Sequence, residues 1–203
     1  MKPILLALAL VSALVAADQP VKKTGSKTPA AKVSVAPALS AAETMRVSRA
    51  TVAGVEKSLD GGIRAINVNE PIDLLGFTRG VYLPGYGVVF SSEINLVLTI
   101  ITPFRPEPKG AELQELKARK QRRLAVMRTW MHDALVGAGA ALDQVPPQER
   151  VVFAMTLFYQ SFEDRTGMPS QIIIEAPRQA LSDFKAGHIS REQLDAAIQT
   201  WEL

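Results

Sequence analysis

The sequence predicts an α+β fold in which an antiparallel sheet carries helices mainly on one face. Three observations lead there. On either side of Pro84-Gly85-Tyr86-Gly87, residues 77–83 are rich in Val, Tyr, Phe and Thr and residues 88–101 carry a nearly all-apolar set at alternate positions, as two strands of a hairpin do. Residues 151–159, VVFAMTLFY, are apolar at every alternation, the pattern of a central strand covered on both faces. Between and after these runs lie stretches of helical spacing, the longest from Gly110 to about Gly139. The order is helix, two strands, long helix, two strands, two helices, which makes two ββα units.

Taken in order, residues 1–17 have the form of a signal peptide. Lys2 is followed by an apolar run from Ile4 to Val15, then by Ala16-Ala17 ahead of Asp18. The run is short for a membrane span, so cleavage before Asp18 is expected. Residues 18–39 mix Lys, Pro, Ala, Thr and Ser without a helical or strand period and predict a disordered tether. Residues 40–203 then form one domain.

Ser40-Ala41-Ala42-Glu43 matches a capping box that starts a helix. Met45, Ser48, Val52, Val55 and Leu59 share one stripe, and Gly61-Gly62 offer a left-handed stop. Residues 63–68 suggest a short strand, and Pro71 one helical turn through Leu75. In the hairpin, Phe77 to Leu83 is rich in Val, Tyr, Phe and Thr, which suit a pleated surface. In the second strand Val88, Phe90, Ser92, Ile94, Leu96, Leu98 and Ile100 fall on the core side. Pro103 and the prolines after it end the pairing.

The long helix carries Leu113, Leu116, Lys120, Leu124, Met127, Met131 and Leu135 on its inner stripe. A loop is expected over Ala138 to Pro147. After the central strand comes a polar turn, Ser161 to Gly167, then a short strand at residues 171–175 (QIIIE). Pro177 begins a helix that carries Leu181 and Phe184 inward and stops at Gly187. A second capping box, Ser190-Arg191-Glu192-Gln193, opens a last helix with Leu194, Ala197, Ile198 and Trp201 on one face.

Composition excludes several functions. The chain of 203 residues has no cysteine, so disulfides and thiolate metal sites are ruled out. His132 and His188 are the only imidazoles, and neither has a second ligand at helical spacing. No metal and no cofactor is expected. The formal charge of +3 arises in the leader and tether, where Lys2, Lys22, Lys23, Lys27 and Lys32 face Asp18 alone. The remainder is near neutral, and no nucleic-acid binding is expected. Gly85-Tyr86-Gly87 is too short to cradle a phosphate and does not open a helix.

The polar residues of interest are Arg79, Tyr82, Tyr86 and Glu93 on the hairpin, with Asp164 and Arg165 in the later turn. Carboxylates beside arginine can transfer protons or bind an anion, and tyrosines suit interfaces. No nucleophile–base pair stands out, and no catalytic residue is assigned. The middle of the long helix is basic, with Arg119, Arg122 and Arg123 offering a weak contact to an anionic surface. The expectation is an exported, periplasmic, non-enzymatic domain that binds a protein or a cell-envelope polymer. The alternative is a hydrolase or small-ligand-binding protein using Arg79, Glu93 and Asp164.

The motif TRGVYLPGYG at residues 78–87, with EINL at 93–96 and EDRTG at 163–167, resembles a group of uncharacterised exported bacterial proteins. The resemblance spans roughly residues 70–185. It implies export and no particular activity.

Overall fold

In the computed structural model, residues 47–66, 70–104 and 106–203 are described. The expected leader, the tether and the Ser40 capping box lie outside them. The sheet is built from β1 (Asp73–Leu74), β2 (Arg79–Leu83), β3 (Gly87–Asn95), β4 (Arg150–Leu157), β5 (Gln171–Pro177) and β6 (Gln199–Glu202). Its order is β1-β3-β4-β5-β6, with β2 also paired to β3. The helices are α1 (Arg49–Ala65), α2 (Ala111–Ala141), α3 (Arg178–Lys185) and α4 (Arg191–Ala197). The fold is α+β, and β2–β3–α2 and β4–β5–α3 are its two ββα units.

Those two units meet through a parallel pair. Gly87 to Ile94 of β3 lie beside Arg150 to Leu157 of β4, with α2 as the crossover. All other pairs are antiparallel, so the sheet is mixed where only antiparallel pairing was expected. Hairpin spacing fixes the pairs within each unit but says nothing about the direction in which the units join.

One face of the sheet forms the core. Val88, Phe90 and Ile94 of β3 and Val151, Phe153, Met155 and Leu157 of β4 are buried there, with Ile172, Ile174 and Ala176 of β5. They pack with α1 through Val52, Val55, Leu59 and Ile63, and with α2 through Leu124, Met127, Met131 and Leu135. Leu181 of α3 and Leu194 of α4 complete the cluster. The α2 stripe is buried as expected from Leu116 to Leu135, Lys120 included, while Leu113 at its start is half-buried. Trp130 meets Phe153 edge-on, 5.8 Å between ring centres.

Several boundaries differ from the sequence reading. Helix α1 is capped by Ser48, whose Oγ accepts the Thr51 N–H at 3.0 Å. It runs through Gly61 and Gly62 to Ala65, so residues 63–65 are helical and residues 67–69 lie outside the description. Gly62 serves close packing and not a stop: a Cβ there would lie 2.8 Å from the Trp130 ring. Asp73 and Leu74 pair with β3 in place of a helical turn.

Strand β3 ends at Asn95, so Leu98 and Ile100 are exposed and not on the core. The Asn95 Oδ1 accepts the Val97 N–H, a local turn that competes with the ladder. The loop expected at Ala138 is helix, and Gly139 lets α3 approach, since a Cβ would lie 2.5 Å from the Leu181 Cβ. The last helix ends at Ala197, and Trp201 belongs to β6. The capping box is present, but a seven-residue helix has little stability of its own. Ile198, Thr200 and Trp201 favour extended backbone, and β5 supplies the partner.

The tightest backbone approach lies at Gly87, where φ is +139° and a Cβ would lie 1.9 Å from the Arg150 carbonyl oxygen. Gly85 has φ +81° with open space around it. Gly85→Ala is expected to cost about 1 kcal/mol, the left-handed penalty alone. Gly87→Ala is expected to cost more than about 3 kcal/mol, because the β3–β4 ladder must part. Urea unfolding of the two variants checks the ranking, and equal losses would contradict the packing described.

Candidate functional site

The described helices all pack on one side, and among the described residues none covers the other side of the sheet. Cross-strand register places Arg79, Ser91, Ala154, Ile173 and Trp201 in one row on this uncovered face. Val81, Val89, Val152, Glu175 and Gln199 form the next. The apolar run of β4 was expected to be covered twice. Val152 is buried, but Ala154 is half-buried and Thr156 exposed, because no described helix crosses this side. Val81 is 51% exposed, Leu83 44% and Trp201 43%.

At one end of this face stands the turn Pro84-Gly85-Tyr86-Gly87. The Tyr86 N–H donates to the Leu83 carbonyl at 3.0 Å and closes it. The loop before β4 clamps the turn from outside. Glu149 is buried, and its Oε1 accepts the Gly85 N–H at 2.8 Å and the Tyr82 hydroxyl at 3.3 Å. The Arg150 N–H donates to the Tyr86 carbonyl at 2.8 Å. The Tyr86 hydroxyl donates to Glu175 Oε2 at 3.1 Å, and the Arg150 guanidinium pairs with the other oxygen of that carboxylate. Burial, then the neighbouring Glu149, raises the Tyr82 hydroxyl above its ordinary value. Burial and Glu175 do the same for Tyr86. Both tyrosines are therefore neutral donors at physiological pH.

The residues singled out in the sequence fall into three places. Arg79 and Glu93 lie on the uncovered face, one register step apart, with no ion pair joining them. Tyr82 and Tyr86 belong to the clamped turn, with Tyr82 on the core side and Tyr86 44% exposed. Asp164 and Arg165 sit in the loop after β4. Asp164 accepts from Lys117 of α2 at 2.6 Å and from the Thr166 N–H at 2.9 Å, and these bonds hold its carboxyl well below the usual range. The alternative reading of the sequence would use Asp164 together with Arg79 and Glu93, and its bonds tie it to α2 and to its own turn.

That same loop is pinned by a buried charge. Lys120 Nζ lies 2.7 Å from Glu163 Oε2, with 2% and 5% of the side chains exposed. It also donates to the Phe158 carbonyl and sits 4.8 Å from the centre of the Tyr159 ring. Burial lowers the Lys120 ammonium, and Glu163 opposes that shift. Burial pushes the Tyr159 hydroxyl up to about 12, and it donates to the Pro169 carbonyl.

The basic face of α2 is answered by carboxylates, one of them on α2 itself and the others from elsewhere. Arg119 and Arg123 both reach Glu70, Arg122 reaches Glu115, and Arg128 holds Glu202 with two bonds. A cluster of basic residues in the sequence thus becomes a set of local pairs, which leaves little net charge for an anionic surface.

Glu149, Arg150, Glu175, Glu56 and Asp60 were not singled out in the sequence. Two of them carried a readable signal. Glu56 and Asp60 fall on the inner stripe of α1 with Val52, Val55 and Leu59, where a charge is costly without a partner. The partners are backbone groups of the hairpin: Asp60 accepts the Thr78 N–H at 2.8 Å and Glu56 the Gly80 N–H at 2.6 Å. Arg49 closes on both Glu56 oxygens at 2.7 Å. Comparison of the chain with protein-family models, with curated proteins and with solved structures finds no match.

Two outcomes test these buried charges. Lys120→Met leaves Glu163 buried and unpaired and is expected to cost about 3–5 kcal/mol. Adding Glu163→Leu should recover most of the loss in urea unfolding; no recovery would deny the pairing. The bonds to Arg49 and Gly80 depress the Glu56 carboxyl below its ordinary 4.5, the Arg49 bond most. Its contribution is therefore complete above 4.5 and is lost as pH falls through the lowered folded value. Glu56→Gln should cost about 1.5 kcal/mol at neutral pH, with the gap to wild type closing in acid.

Proposed function

We propose that this chain is an exported, non-enzymatic binding domain that takes a partner protein on the uncovered face of its sheet. One observation carries the reading: apolar side chains stand open to solvent on the face that no described helix covers, Val81 and Leu83 at its β2 edge beside the partly exposed Tyr86, and Trp201 at its β6 edge. Exposed apolar surface rimmed by polar groups marks interaction sites, and tyrosine presents a broad face with a polar tip. The exposed polar groups of this face hold both signs, Arg79 with Glu93. That mixture suits a protein better than a uniformly anionic envelope polymer.

The turn supports the same reading. Glu149 and Arg150 hold it rigid, so Tyr86 is offered in one orientation and loses little freedom on binding. The hydrolase alternative through Arg79, Glu93 and Asp164 draws less support, since Asp164 is engaged by Lys117. Export rests on the leader pattern of residues 1–17 and on the TRGVYLPGYG resemblance. N-terminal sequencing of the mature protein should then begin at Asp18.

A photo-crosslinking residue at Val81 should capture one partner in envelope extract, and the same residue at the exposed helix position Val126 should not. Raising the salt concentration should leave capture at Val81 largely intact, whereas attachment to an anionic polymer would fall steeply. Equal capture at both positions would end the proposal.

A further inference from the structure

The two outer edges of the sheet are finished differently. At β2 the N–H groups of Thr78 and Gly80 turn away from β3 and are taken by Asp60 and Glu56, one helical turn apart on α1. Those donors are closed to any further strand. At the opposite edge, Leu203 and Gln171 exchange both backbone bonds, N to O at 3.0 and 3.2 Å. By alternation, Trp201 and Gln199 also face β5, while Thr200 and Glu202 direct N–H and C=O outward. Among the described residues, no other element hydrogen-bonds to those outward groups. All four residues of β6 are exposed, and no proline, lysine or bulge blunts the strand.

We propose that a second copy of this chain pairs on β6, antiparallel about a two-fold axis at Trp201, so that two sheets become one. The strand is complementary to itself in that register. Thr200 of one copy lies opposite Glu202 of the other, and each such pair exchanges both outward backbone bonds. No like charges face each other, and each Glu202 is already neutralised by its own Arg128 at 2.6 and 2.8 Å. Trp201 lies opposite its own copy. Its backbone groups are used on Ile173, so the two tryptophans form the non-hydrogen-bonded type of pair, in which side chains come closest. Both indoles project from the uncovered face, where an aromatic pair would cover surface that is open in one chain. The two-fold operator makes the contact isologous, so pairing closes at a dimer. Trp201 is shared with the proposed partner face, but this inference rests on the outward backbone groups of the β6 edge and is read by self-association, so it stands or falls separately from partner capture at Val81.

The absence of cysteine from the chain makes the register directly testable. Trp201→Cys places two thiols in a close cross-strand pair, within the reach of a disulfide. It should oxidise to a covalent dimer, whereas Val126→Cys, exposed on α2, should not. Sedimentation of the full-length mature protein from low micromolar to near millimolar should show a reversible dimer. Thr200→Pro removes an outward N–H and leaves the β5–β6 bonds in place, so it should stay folded by circular dichroism. Self-association of that variant should weaken by about a hundredfold. A wild type that stays monomeric over the whole range would overturn the proposal. So would a dimer indifferent to Thr200→Pro, crosslinking at Thr200→Cys in preference to Trp201→Cys, or an edge that pairs only with a different protein.

Discussion

The parallel ladder between β3 and β4 is the constraint on which the rest of the structure hangs. It joins two ββα units that each arise from local sequence, and it does so over all of β4 and all but the last residue of β3, from Gly87 beside Arg150 to Ile94 beside Leu157. Parallel neighbours cannot be linked by a tight turn, so the chain must leave the sheet and return. Helix α2 makes that journey, and its apolar stripe is laid along the strands it connects. The ladder starts at the one place where a side chain cannot fit: Gly87 against the Arg150 backbone.

Buried charge is used here to fasten irregular segments onto regular ones. Glu56 and Asp60 reach from α1 to the outward N–H groups of β2. Glu149 reaches from the loop before β4 to the hairpin turn. Lys120 reaches from α2 to the loop after β4 through Glu163. In each case a charge that would be costly in the interior bonds a partner distant in sequence, although Glu149 does so through Oε1 alone and its Oε2 is buried without a hydrogen bond. Such contacts are strong against single loss, because the group left behind is buried and unpaired. They also make each segment's position depend on the assembled fold.

One-sided packing has a consequence for function. A sheet with helices on one face offers the other face and its edges to other molecules. This protein closes the β2 edge with carboxylates and leaves β6 without such cover. The turn at Pro84–Gly87, stiffened by Glu149 and Arg150, holds Tyr86 over the uncovered face, where Glu175 takes its hydroxyl. A rigidly held aromatic side chain beside exposed apolar residues loses little freedom when it makes a contact.

The sequence by itself determined the elements whose signals are local. The hairpin turn, the inner stripe of α2, the central place of β4 and the capping box at Ser190 follow from spacing, glycine and proline, and cap chemistry over a few residues. Even Lys120 could be placed in the interior by its position on the α2 stripe. Tertiary structure decided everything that depends on a distant partner. The run through Gly61-Gly62 stays helical because Trp130 packs there, and residues 199–202 become a strand because β5 offers an edge. The basic residues of α2 find Glu70, Glu163, Asp164 and Glu202, so their charge is spent within the fold. Helical or strand period records which side chains are apolar, but not which surface comes to cover them. For that reason the doubly apolar β4 could not be known to have one face open until the helices were seen to pack together on the other.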